Sequence, residues 1–77
     1  MAKLSYVRRQ KLLSQRDLAQ RARITPSTIY LIESGRTRPQ LRVMRRICDV
    51  LGVSPWDVDE FAESLNQQGV SPAPGGV

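Results

Sequence analysis

The side chains able to do chemistry in this chain are twelve lysines and arginines, seven acids, one cysteine and no histidine. Without a histidine nothing stands ready to activate a serine or the Cys48 thiol, and an ordinary zinc cluster lacks its ligands. Asp57, Asp59, Glu60 and Glu63 read as an exposed helix face, and the chain has no glycine-rich phosphate loop. These residues predict a binding protein and not an enzyme, with no cofactor and no metal.

The cations say more by their placement than by their number. Residues 1–46 hold all twelve and only two acids, Asp17 and Glu33, for a net charge of +10; residues 47–77 hold no base and the other five acids, for −5. Such a split suits a domain that turns one face to a polyanion. Seventy-seven residues fit one domain with a small core, and a single cysteine allows no internal disulfide. The start, MAKLSYVRRQK, has no apolar run for a signal peptide or a membrane span. A cytoplasmic location is expected.

The elements that must position these groups are clearest between Ser14 and Gly35. Ser14 and Asp17 have the spacing of a capping box, so a helix starts at Gln15 with Leu18, Ala19 and Ala22 facing inward. Thr25 followed by Pro26 repeats the start signal, a hydroxyl cap and then a residue whose missing N–H is harmless in the first turn. The second helix, 26–34, turns Ile29 and Ile32 inward and Ser27, Leu31 and Ser34 outward, with Thr28 and Tyr30 on its flanks, and Gly35 ends it. Only Arg23 and Ile24 lie between the two helices.

A helix before this pair, about 3–12, places Leu4, Val7, Arg8 and Lys11 on one stripe, with Leu13 tucking into the core. A charge in an apolar stripe calls for a partner, and Glu33, beside Ile29 and Ile32, is the candidate. After the pair comes the polar loop Arg36-Thr37-Arg38-Pro39. A fourth helix, about 40–51, carries the stripe Leu41, Met44, Ile47, Cys48 and Leu51, with Gln40 a poor cap and Arg42 near enough to the loop to reach a phosphate. Cys48 reads as a small buried side chain. Ser54-Pro55-Trp56-Asp57 repeats the cap, proline, acid pattern and opens a fifth helix running through Phe61 to Leu65. From Asn66 the uncharged sequence NQQGVSPAPGGV reads as a disordered tail over 66–77.

The segments VRRQKLLSQRDLAQRARITPSTIYLIESGRTRP and LRVMRRICDVLGVSPWDVDEF resemble the phage Cro and repressor family of helix-turn-helix domains, also called XRE-like. The anchors are Gln15, Leu18-Ala19, Ile29, Glu33, Gly35, Pro39 and Leu51-Gly52-Val53. The resemblance implies an all-α, compact five-helix lambda-repressor-like bundle over residues 3–65, with the motif at 15–34 and the recognition helix at about 26–34. It implies that Arg8 and Glu33 form a structural ion pair, and that Arg36, Thr37 and Arg38 lie along a sugar-phosphate backbone. It also implies that Gln15 anchors a phosphate, that Thr25, Pro26, Ser27, Thr28 and Leu31 face the bases, and that Tyr30 sits at the groove edge or on a phosphate. Arg23 and Leu12 stand where the family often has glycine, and Pro26 and Leu31 where it often has polar or arginine side chains.

The expected function is a sequence-specific regulator of transcription that binds double-stranded DNA, a repressor acting by occupancy as a dimer. Readout would lean on hydroxyls, thymine methyl contacts and DNA shape. Trp56, Phe61 and Leu65 are candidate dimer contacts, or else they cap the core. The rival reading is a protein-interaction module, such as an antitoxin or adaptor, holding a partner protein through helix five or the tail.

Overall fold

A computed structural model describes residues 2–70, which are all-helical. The order is α1 (Leu4–Gln10), α2 (Gln15–Ala22), α3 (Pro26–Glu33), α4 (Leu41–Leu51), a 3-10 turn (Pro55–Asp57) and α5 (Asp59–Gln67). α2 packs on both α3 and α4, and the five-helix bundle closes over Leu4, Leu18, Ile29, Ile32, Met44, Ile47, Leu51, Val58 and Phe61.

The start signals act as their chemistry dictates. The Ser14 hydroxyl accepts from the Asp17 amide at 3.0 Å while the Asp17 carboxylate accepts from the Ser14 amide at 3.1 Å. Those two bonds, with Arg21 and Arg16 nearby, hold the Asp17 carboxyl below its ordinary range. The carboxylate half of the cap is therefore complete above the ordinary carboxylate range and weakens as acid protonates Asp17, while the bond accepted by the Ser14 hydroxyl stays. Thr25 caps α3 in the same way, accepting from the Thr28 amide at 3.2 Å, whereas Gln40 makes no side-chain cap at α4.

The ends share one device. In each of the five α-helices among the described residues, an amide beyond the last turn reaches back to a carbonyl five residues earlier: Leu13 to Arg8, Ile24 to Ala19, Arg36 to Leu31, Val53 to Cys48 and Val70 to Leu65. That closure needs a left-handed residue just before the reaching amide. Gly35 serves α3 at φ +75°, but Leu12 and Arg23 serve α1 and α2 at φ 59° and 60°. A side chain in that conformation costs about 1–2 kcal/mol relative to glycine. At these two turns, where the resemblance implied glycine, the chain keeps the shape and carries strain.

Four expectations are corrected. α1 stops at Gln10, because the Leu12 closure ends it early. Leu41 leaves the core stripe and is 51% exposed; as the first residue of α4 it projects outward, while Pro39 is buried beneath that end. The Ser54 cap starts only a 3-10 turn, since Val58 is pulled into an extended conformation by pairing with Ala2 and is fully buried. The Ala2 amide donates to the Asp57 carbonyl at 3.0 Å and the Asp59 amide to the Ala2 carbonyl at 2.7 Å, so α5 begins only at Asp59. It then runs on through Asn66 and Gln67, where a tail was expected, to close at Val70. The rest of the expected disordered tail, residues 71–77, lies outside the described residues.

Candidate nucleic-acid interface

α3 is held from behind by a buried polar network. Arg8 donates from Nε to Glu33 Oε2 at 2.7 Å and from Nη2 to Oε1 at 3.1 Å, and its Nη1 donates to the Leu13 carbonyl at 2.8 Å. Both side chains of the pair are almost fully buried. Gln15 Nε2 adds a fourth bond, to Glu33 Oε1 at 2.9 Å. Three helices are therefore pinned at one carboxylate: α1 through Arg8, α2 through Gln15, and α3 through Glu33 itself. Gln15, expected on a phosphate, has its amide engaged in the protein, with one N–H left over for any outside acceptor.

The front of α3 is open. Thr25, Pro26 and Ser27 are exposed, Tyr30 is 50% exposed and Leu31 36%. Thr28 is half-buried, and its hydroxyl pairs with the Thr25 hydroxyl at 2.9 Å, so these two hydroxyls serve the cap first. The surface offered to a ligand is thus the Ser27 hydroxyl, the Tyr30 ring and the Leu31 side chain.

The loop lies beside this face. Thr28, Thr37, Arg38, Gln40 and Val43 line one open groove of about 270 Å³, which brings the first turn of α3, the loop and the start of α4 together. Arg36, Thr37, Arg38 and Arg42 are all exposed, with Arg42 donating to Gln40 Oε1 at 3.4 Å. The single ion pair among the described residues is Arg8–Glu33, so these arginines carry no carboxylate and their charge is open to solvent. Gln40 and Val43 belong to this groove and were missed, since nothing in an exposed amide and a valine at the start of a helix marks them.

Phe61 and Leu65, expected as dimer contacts or core caps, are buried in the chain's own core, at 0% and 5% exposed, and Trp56 is half-buried against it. Burial, helped by Asp49 and Asp57, pushes the Cys48 thiol up to about 11, so it stays protonated and unreactive at neutral pH. No helix among the described residues is long and apolar enough to cross a membrane.

Residues 2–61 match the model of a protein family described as a helix-turn-helix domain. Neither the curated proteins nor the solved structures return a match.

Proposed function

The chain belongs to the helix-turn-helix domain family, and on that premise we propose that it is a sequence-specific, double-stranded DNA-binding regulator of transcription. It acts in the cytoplasm, without catalysis, as a repressor that covers its operator. The observation that supports this most is the contrast between the two sides of α3: a buried network of four hydrogen bonds behind it and, in front, an open face flanked by arginines that pair with no carboxylate among the described residues. An α-helix with its side chains is about 10–12 Å across, which a major groove about 12 Å wide admits. The exposed Leu31 side chain suits thymine methyl groups better than a hydrogen-bonding code.

Retardation of a random duplex in a gel tests the reading. Affinity should fall about a thousandfold between 50 and 200 mM salt if some six phosphates are neutralised. A flat salt dependence would remove the proposal.

Dimerisation is best supported at a surface that keeps Leu65 of the three contacts the sequence suggested and adds residues of α4. Leu41, half-exposed, rims a groove of about 340 Å³ whose mainly apolar lining, Met44, Cys48, Val53, Pro55 and Leu65, is edged by Arg45 and Asp49. A second copy seated there would pair two recognition helices on half-sites about 34 Å apart. Leu41→Glu is then expected to leave the fold intact and shift sedimentation to the monomer; an unchanged dimer would place the contact elsewhere. The rival reading, a partner protein held by helix five or the tail, loses support at helix five because Phe61 is fully buried in the chain's own core.

A further inference from the structure

We infer that a second phosphate-binding surface, separate from the loop arginines, lies beside the turn that leads into the recognition helix, in a groove lined by Arg21, Arg23 and Arg46. The inference rests on the DNA-binding reading above and extends it to residues outside the motif's known face. The groove encloses about 230 Å³, and Ala22, Asp49 and Val50 complete its walls. All three arginines are exposed. Arg46 Nη1 donates to the Arg23 carbonyl at 3.5 Å, which draws the middle of α4 against the turn between α2 and α3. None of the three is within ion-pair distance of a carboxylate among the described residues, although Asp49 shares the groove. Three cations and one anion leave a concave patch with a net double positive charge.

Two features point to a nucleic-acid backbone as the occupant. Arg23 stands two residues before the Thr25 cap of α3, so the patch begins within about 7 Å of chain from the end of α3 expected to enter the groove. Arg46 also follows Arg42 by one helical turn, which carries the patch toward the cations of the loop. α3 thus has cations at both ends, Arg23 before it and Arg36 after it. Bound in a major groove, a helix about 12 Å long so flanked meets two separate stretches of phosphate and not one. Arg21 and Arg23 sit at the C-terminal end of α2, where its dipole favours positive charge in the absence of ligand.

The strained turn provides a variant that separates charge from structure. Arg23→Gly removes a cation and relieves φ +60° at once. Combined with Arg46→Gln, it should melt no lower than the parent, yet bind duplex with a log–log salt slope shallower by about 2, near 0.9 for each phosphate no longer neutralised. The ratio of specific to random affinity should stay within about twofold, and Arg23→Lys should keep the parent slope. An unchanged slope in the double variant overturns the inference. So does the same variant keeping its duplex affinity while losing affinity for polyglutamate, which would assign the groove to an acidic protein segment. Failure of the unaltered chain to retard any duplex at low salt would instead remove the reading on which this one rests.

Discussion

Arg8→Ala should destabilise the fold by about 3–5 kcal/mol, the largest stability effect expected of any single substitution at the polar residues. The change strands the Glu33 carboxylate, which is almost fully buried and would keep only the Gln15 amide as a donor. It also leaves the buried Leu13 carbonyl without the Arg8 Nη1 bond. A domain of this size has a total stability of only some 5–15 kcal/mol, so the variant should be partly unfolded at 37 °C. Urea unfolding followed by circular dichroism measures the loss. Replacing both partners, as Arg8→Met with Glu33→Leu, should restore much of it, because no buried charge remains. The double-mutant cycle then gives a coupling of the order of 1–3 kcal/mol. Arg8→Ala unfolding within about 1 kcal/mol of the parent would mean that the network does not hold α3 in place.

The double replacement also separates stability from placement. A core without charges can still fold, but the rotation of α3 against α1 and α2 is then held by the packing of Ile29 and Ile32 alone, without the directional bonds by which Arg8, Gln15 and Glu33 tie the three helices at one point. The Arg8→Met, Glu33→Leu protein should bind random duplex nearly as well as the parent and discriminate between sequences less well.

Which parts of this were legible in the sequence follows from the range of the interactions involved. The helix starts at Ser14 and Thr25 were legible because a cap is set by residues three apart. The Arg8–Glu33 pair could be inferred because a charge in an apolar stripe demands a partner. Leu41 was misread because periodicity gives a helix's inward direction but not where along its length the core ends. The start of the fifth helix was misread because the conformation of Val58 is set by Ala2, 56 residues away, and no local pattern records that pairing. The Arg21–Arg23–Arg46 groove was invisible for the same reason, since a turn and the middle of another helix come together only in the fold.

The Arg36→Ala, Arg38→Ala protein should bind duplex roughly 50- to 100-fold more weakly at about 0.1 M salt, with a log–log slope shallower by nearly 2. Both side chains are exposed and neither is paired with a carboxylate among the described residues, so their removal disturbs no internal bond and the melting temperature should hold. The loss should be equal on every sequence, because contacts to phosphate position the protein and carry no base information. Leu31→Ala is the complementary change. Its side chain is 36% exposed on the open face of α3 and carries no charge, so the salt slope should be that of the parent while preference for thymine-containing sites falls, by about 1 kcal/mol for each thymine methyl left uncovered. The two variants together test one assignment: the loop supplies affinity and the helix supplies choice. If Arg36→Ala with Arg38→Ala changed sequence preference, or Leu31→Ala changed the salt slope, those roles would have to be exchanged and α3 could not be the element that reads the bases.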